Sequence, residues 1–128
     1  MRGPLLSIAA VAAGGSIGAT ARYLTAVVGM RLFGDKFPIG TVVANLVGCF
    51  IAGLLVGLLE RRLVLSPTME LAIFTGFLGA LTTLSAFSVE TTGFMRDGNW
   101  GLALTHIGLN AVLGIVMVIA GLATSRAV

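Results

Sequence analysis

Long apolar runs separated by short polar stretches dominate the pattern along the chain. Four runs stand out, at about 5–28, 39–59, 69–95 and 101–124. Each holds about 20 residues or more, which is enough for a helix to cross a hydrocarbon core of about 30 Å. The short connections GMRLFGDKFP, ERRLVLSP and RDGNW leave no room for an extramembrane domain. The pattern predicts an all-α membrane protein, with one four-helix transmembrane domain over residues 1–128.

The third run differs from the others because hydroxyl side chains crowd its second half. The stretch GALTTLSAFSVETTG, residues 79–93, holds six Ser or Thr residues and one acid. Glycine weakens a helix, and Thr82, Thr83 and Ser85 compete for main-chain hydrogen bonds. We expect the third helix to be broken here, in mid-membrane, unless the hydroxyls bond back to their own helix. A break frees carbonyl oxygens, and at that depth these are tolerated only where they are buried in protein or line a cavity. Free carbonyl oxygens are also suitable ligands for a hard cation such as Na⁺.

Polar side chains also recur inside the second and fourth runs. Thr41, Asn45 and Cys49 are four residues apart, and so are His106 and Asn110, which places each set on one helical face. Polar groups at membrane depth are costly and need a partner or a function. The two asparagines therefore indicate either interhelical hydrogen bonds or a polar path through the bundle. His106 lies about one turn into its run, where a role at the membrane surface is also open.

Two charged residues lie within the runs. Arg22 is near the far end of the first run, and Glu90 is the only acid within any run away from its ends. Arg22 has three open roles: its side chain reaches the headgroups, attracts anions to a pore mouth, or pairs with Glu90. No G-x-S-x-G or Walker A motif is present. The pattern is typical of a conduit rather than an enzyme.

The composition agrees with a bilayer as the solvent. Hydrophobic residues make up 57% and charged residues 10% of the chain, against about 25% charged residues in a typical soluble domain. The net charge is +3, from basic residues too few and too scattered for a nucleic-acid surface. Cys49 is the only cysteine, which excludes an internal disulfide and a site with several thiolate ligands.

Basic residues are nearly balanced between the two sides of the membrane. Four lie on the side of the two chain ends and three on the other, namely Arg2, Arg61, Arg62 and Arg126 against Arg31, Lys36 and Arg96. The positive-inside rule orients a chain by an excess of Lys and Arg, which is nearly absent here. Either one or two arginines fix the orientation, or the chain inserts both ways and forms an antiparallel dimer. The pairs Gly14–Gly18 and Gly53–Gly57 allow helices to approach closely, within a chain or between chains.

Three segments together resemble the Fluc (CrcB) fluoride channels. They are GGSIGATARY at 14–23, GTVVANLVG at 40–48 and, most specifically, TGFLGALTTLSAFSVE at 75–90. The resemblance implies an antiparallel, dual-topology homodimer of four-helix subunits in the bacterial cell (inner) membrane. It also implies two pathways that export F⁻ passively from the cytoplasm. A structural, untransported Na⁺ would lie at the dimer interface, bound by the main-chain carbonyls of Gly79 and Thr82.

The resemblance also assigns the residues of the fluoride pathway. Asn45 matches the pore asparagine, Phe87 the second phenylalanine of the third-helix pair, and Ser85 the serine between that pair. The first phenylalanine is Leu84 here, and a leucine lacks the positive ring edge that can face an anion. We therefore expect slower conduction than in a chain with both rings. The complete expected set is Asn45, Phe87, Ser85, Leu84, Thr41, Asn110 and His106 in the pathway, with Arg22 and Glu90 in an anion vestibule or in a structural role.

Two alternatives compete with a fluoride channel. A small four-helix, dual-topology multidrug or cation exporter would need a carboxylate in the middle of its first helix, and residues 5–28 contain none. A non-transporting assembly subunit would use the asparagines only to join helices, and its behaviour would not change if Asn45 became hydrophobic.

Overall fold

Four long helices form the chain. The computed structural model describes residues 2–61 and 63–128, and within these ranges it contains no β-strand. Four helical stretches in the described residues are long and apolar enough to cross a membrane. We name them the first to fourth spans: Gly3–Phe33, Ile39–Leu59, Pro67–Arg96 and Trp100–Ser125. The prediction of an all-α, multi-pass membrane protein with four apolar helices is confirmed. Arg62 and the side chain of Arg2, both counted in the charge balance, lie outside the described part.

Local chemistry explains where the spans begin and end. Helix α1 (Arg2–Phe33) is followed by Gly34, whose φ of +81° favours glycine. Helix α2 (Ile39–Leu59) begins directly after Pro38. The third span begins at Pro67, a position where the missing N–H of proline costs least, and the Ser66 hydroxyl accepts the N–H of Met69.

The third and fourth spans are not uniform α-helices. Each contains a π-helical segment, a feature that is frequent near functional sites. The third span consists of α3 (Pro67–Glu70), the π-helical segment Leu71–Leu78, α4 (Gly79–Leu81) and α5 (Leu84–Arg96). The fourth span consists of α6 (Trp100–Ile107), the π-helical segment Gly108–Val112 and α7 (Leu113–Ser125).

Two residues separate α4 from α5 in extended backbone. Thr82 has φ −83° and ψ 154°, and Thr83 has φ −151° and ψ 119°. The hydroxyl of Thr83 accepts the N–H of Ala86 at 3.1 Å and so caps the start of α5. We call Thr82 and Thr83 the interruption.

Close helix packing depends on glycines within one chain. At Gly14 and Gly18 a side chain would overlap the main-chain oxygens of Ala72 and Phe77, so the first span lies directly against the third. Gly53 meets the main chain of Val118 in the same way and joins the second span to the fourth. Both small-xxx-small pairs therefore contribute to packing inside the subunit, which the sequence had left open.

Candidate functional site

The side chain of Asn45 binds both main-chain polar groups of Thr83 in the interruption. Its Oδ1 accepts the N–H of Thr83 at 2.8 Å, and its Nδ2 donates to the carbonyl of Thr83 at 3.2 Å. Its exposed fraction is 9%. A buried main-chain group needs a partner, and the extended Thr83 finds both of its partners in one amide. The interruption and the asparagine of the second span therefore form one unit.

A second amide joins Asn45 to the fourth span. Asn45 Nδ2 also donates to Asn110 Oδ1 at 2.7 Å, and Asn110 Nδ2 donates to the carbonyl of His106 at 2.9 Å. Both Nδ2 protons of Asn45 are thus in use. The two asparagines predicted from the sequence do lie together, and they connect three spans.

The carbonyls of Gly79 and Thr82 lack their usual helical donors. In a continuous helix Gly79 would accept from the N–H of Thr83, which here donates to Asn45. Thr82 would accept from the N–H of Ala86, which here donates to the Thr83 hydroxyl. Two such oxygens fit a hard cation. Across residues 2–61 and 63–128 no group of three or more His, Cys, Asp or Glu could hold a metal.

Arg22 also bonds the end of α4. Its Nε donates to the carbonyl of Ala80 at 2.9 Å, and its side chain is half-buried. The carbonyl of Ala80 is thereby satisfied at the point where the helix ends. The sequence did not indicate this partner. Arg22 and Glu90 line the same cavity, of about 350 Å³, but no ion pair joins them in the described part of the chain.

A cavity of about 520 Å³ lies between the second, third and fourth spans. Asn45, Asn110, Leu84 and Phe87 line it together with the interruption and Gly79. Most of the lining is apolar, with a few amides and hydroxyls, as expected for a site that fixes a small ligand with few polar groups. The Leu84 side chain is 75% exposed in the single chain.

Glu90, in the middle of α5, lies between two further cavities. Glu90 and Thr41 line both the cavity shared with Arg22 and a second one of about 380 Å³ near the turn after the first span. Thr41 Oγ1 donates to Glu90 Oε1 at 2.7 Å. Thr83 lines the 520 Å³ cavity and the Arg22 cavity, so the cavities follow one another along α5.

His106 is enclosed beside Glu90. Its exposed fraction is 0%, and its ring lies 5.2 Å from Phe87, 5.4 Å from Phe37 and 6.0 Å from Phe94 between centroids. Its Nδ1 is 2.9 Å from Thr91 Oγ1, and its Nε2 is 3.4 Å from Glu90 Oε2. A role at the membrane surface, which the sequence left open, does not agree with this burial.

The structure brings most of the expected residues into two groups. The first group lines the cavity of about 520 Å³ and consists of Asn45, Asn110, Leu84 and Phe87. The second group surrounds the carboxylate of Glu90 and consists of Glu90, Thr41 and His106. Ser85 is exposed and its hydroxyl lies 3.2 Å from that of Thr83, outside the cavity linings described above.

No motif or spacing in the sequence indicated a role for Thr91, Phe37 or Phe94, and the sequence pointed only to the side chain of Thr83. The signal for Thr91 is its position directly after Glu90 and four residues after Phe87.

Comparison with protein families places nearly the whole chain in one group. The model described as "CrcB-like protein, Camphor Resistance (CrcB)" matches residues 9–122. This range includes the interruption, both asparagines, Glu90 and His106.

Individual relatives agree with the family match. A protein of Maridesulfovibrio salexigens is 44% identical over 116 residues, which are 91% of this chain and 92% of that protein. A protein of Agrobacterium fabrum is 46% identical over 122 residues, 95% of this chain and 98% of that protein. A protein of Cereibacter sphaeroides is 42% identical over 120 residues, 94% of each chain. All three carry the name "Fluoride-specific ion channel FluC".

Proposed function

The chain belongs to the CrcB family, which confirms the resemblance drawn from its motifs, and on this basis we propose that it is a fluoride-selective ion channel rather than an enzyme. The observation that carries the proposal is the 42 to 46% identity to FluC proteins over nearly the full length of both chains. We place the channel in the bacterial cell (inner) membrane, where it exports F⁻ passively from the cytoplasm.

The chemistry of the two groups of residues suits fluoride. Fluoride is small and strongly hydrated, so a pathway must replace its water with other donors. Hydroxyls, the second Nδ2 proton of Asn110 and the ring edge of Phe87 offer donors without a fixed positive charge. Conduction requires binding that is favourable but weak, and no basic residue lies near the centre of a span.

The membrane potential gives the direction of transport. Hydrogen fluoride crosses membranes from acid surroundings and ionises in a neutral cytosol, which traps the anion. A negative-inside potential is worth about 2.3 kcal/mol per charge per 100 mV. An open pathway therefore lets fluoride leave the cell without another source of energy.

We further propose that two copies assemble antiparallel around a structural Na⁺. The interruption would then lie in mid-membrane, and the carbonyls of Gly79 and Thr82 would face the second copy. Support comes from the loss of their helical N–H partners and from the exposure of Gly79 in the single chain. When bound, Na⁺ supplies a fixed positive charge that satisfies these oxygens.

Halide efflux from liposomes tests the channel function. Purified protein is reconstituted, and the loss of F⁻ is recorded beside the loss of Cl⁻ from matched liposomes. We expect rapid loss of F⁻ with Cl⁻ retained. Equal efflux of both halides, or none of either from well-folded protein, would contradict a fluoride-selective channel.

Sodium removal tests the structural cation separately. The same efflux is measured after complete exchange of Na⁺ for N-methyl-D-glucamine during purification and reconstitution. We expect activity to be lost, together with the dimer peak in size-exclusion chromatography. Unchanged activity and assembly without Na⁺ would exclude the cation and leave the channel assignment standing.

A further inference from the structure

The hydrogen bonds around Thr91 determine which nitrogen of His106 carries a proton. Thr91 Oγ1 donates its single hydrogen to the carbonyl of Phe87 at 2.7 Å. The same oxygen lies 2.9 Å from His106 Nδ1, so it must accept a hydrogen bond from Nδ1–H. A neutral imidazole carries one N–H, and His106 Nε2 is then a bare acceptor.

This leaves two acceptors facing each other across a short gap. His106 Nε2 is 3.4 Å from Glu90 Oε2, and neither atom has a hydrogen-bond partner among the residues that the structure describes. Both atoms are buried, although the Glu90 side chain as a whole is 28% exposed. Two unpaired acceptors in this position are costly. One proton between them converts the contact into a hydrogen bond. If the proton is on Nε2, the imidazolium donates to the carboxylate and the bond is charge-assisted; if it is on Oε2, the carboxylic acid donates to the neutral imidazole.

The surroundings isolate this pair. Three phenylalanine rings enclose the imidazole, as described above, and Thr41 of the second span contributes a hydroxyl to the other carboxylate oxygen. The other titratable or charged groups lining the cavities around Glu90 are Arg22 and Tyr23 of the first span, Asp35 of the following turn and Asp97 after α5. None of these four forms an ion pair with Glu90 in the described ranges. Among the described residues, His106 is the basic group that lies within 4 Å of the Glu90 carboxylate.

We propose that His106 is a positioning residue that keeps one proton on the Glu90–His106 pair, so that fluoride meets a neutral pair between the cavities instead of a bare carboxylate. The inference rests on the proposed fluoride channel and adds a determinant of its rate. When the proton is lost at alkaline pH, the pair carries a net negative charge beside both cavities. Like charge repels the anion, so fluoride flux falls as pH rises.

The test is the pH profile of fluoride efflux. Wild type, Glu90→Gln and His106→Gln are reconstituted, and efflux is measured between pH 6 and 9 with the same pH on both sides. Protein-free liposomes at each pH correct for leakage of hydrogen fluoride. Thr92→Ala is the matched control, because its exposed hydroxyl lies on the same helix and bonds only the carbonyl of Ser88 among the described residues.

We expect wild-type flux to fall with rising pH, by up to about tenfold per unit above the midpoint, as for loss of a single proton. The profile of Glu90→Gln should be flat, because an amide does not ionise. In His106→Gln the fall should move toward acid by at least about one pH unit, since the glutamine takes up no proton. Thr92→Ala should follow wild type. Size-exclusion chromatography establishes that each variant is folded.

Two results would overturn the inference. The first is a wild-type flux that is independent of pH over this range, which requires no variant to fold. The second is the same pH dependence in Glu90→Gln as in wild type. Either result leaves the channel assignment intact. No fluoride flux at any pH would instead overturn the proposed function, and this inference with it.

Discussion

At the scale of single residues, Leu84 is the position where we expect the missing ring to affect the rate of fluoride passage. Leu84 lines the cavity of about 520 Å³ beside Phe87 and is 75% exposed in the single chain. We predict that Leu84→Phe raises the initial rate of fluoride efflux. Edge contacts between aromatic rings are worth about 0.5–1.5 kcal/mol, and a contribution of the same size to the rate-limiting step corresponds to a gain of about two- to tenfold.

A control that conserves volume and has no ring tests whether any substitution at this position changes the rate. Leu84→Met keeps a flexible apolar side chain without a quadrupole, and it should conduct at the wild-type rate. If Leu84→Phe conducts at the same rate as wild type or more slowly, the missing ring does not limit this channel.

Asn45 carries the second prediction at this scale. Asn45→Leu leaves the N–H and the carbonyl of Thr83 without their partners, at a cost of about 1–3 kcal/mol for each buried group. We predict that flux falls below detection, that the thermal midpoint falls, and that the proposed dimer persists because Asn45 is buried within the single chain. Efflux and thermal denaturation followed by size-exclusion chromatography measure the two effects.

Val47→Leu is the matched control for Asn45→Leu. It adds a leucine two residues along the same helix at an exposed position, and it should leave both flux and stability near wild type. Wild-type flux in Asn45→Leu would show that Asn45 only joins helices and has no part in the fluoride pathway.

The sequence predicted part of this site because polar side chains at membrane depth are rare. Asn45 and Asn110 were identified for that reason, and they do meet. The partners of Arg22 and Thr91 were not predictable. Both depend on how the third span packs against its neighbours, and a threonine that bonds its own helix gives no separate signal in an amphipathic pattern.

At the scale of helices, close packing of the second span on the fourth carries the third prediction. Gly53→Ala places a methyl group against the main chain of Val118, and main chain cannot move aside as a flexible side chain would. We predict a loss of stability of at least about 1–3 kcal/mol, the usual cost of overpacking. Thermal denaturation of the purified protein in detergent measures it.

Gly101→Ala makes the same substitution in a helix with nothing within 4 Å of the new methyl group. Because alanine favours a helix over glycine by about 1 kcal/mol, this control should be neutral or stabilising. Equal effects of the two substitutions would contradict the role of close packing at Gly53.

The spans themselves followed from the length of the apolar runs, but their internal form did not. The π-helical segments Leu71–Leu78 and Gly108–Val112 lie in apolar sequence that would suit an α-helix equally well. Hydrophobic periodicity reports which face is buried, and it does not report one extra residue in a turn. Contacts with neighbouring spans decide that form.

At the scale of the whole molecule, a single chain leaves much apolar surface uncovered. Exposed side chains run along the first and fourth spans, including Leu5, Ile17, Leu104, Ile115 and Ile119. Lipid can cover such surface, and so can a second copy. The near balance of basic residues across the membrane favours a copy of opposite orientation, because neither orientation is strongly preferred.

The last prediction tests that arrangement by biasing the orientation in two opposite ways. Lys36→Gln with Val64→Lys places five basic residues on the side of the chain ends and two on the other side. The opposite variant combines Arg61→Gln, Arg126→Gln and Asn99→Lys. It leaves two basic residues on the side of the chain ends and places four on the other side. If the channel is an antiparallel dimer, each variant alone should lose most of its fluoride flux, since all copies insert the same way. Co-expression should restore the flux, because each orientation then finds its opposite.

Orientation has to be measured in the same membranes for this result to be decisive. Val128→Cys, placed in a Cys49→Ser background, gives one exposed thiol for an impermeant maleimide. The unbiased chain should be labelled from both sides, and each biased variant mainly from one side. Full flux from a biased variant labelled on one side only would contradict the antiparallel dimer. The same flux would be compatible with a parallel assembly, in which the carbonyls of Gly79 and Thr82 could not face their counterparts across a two-fold axis in the membrane plane.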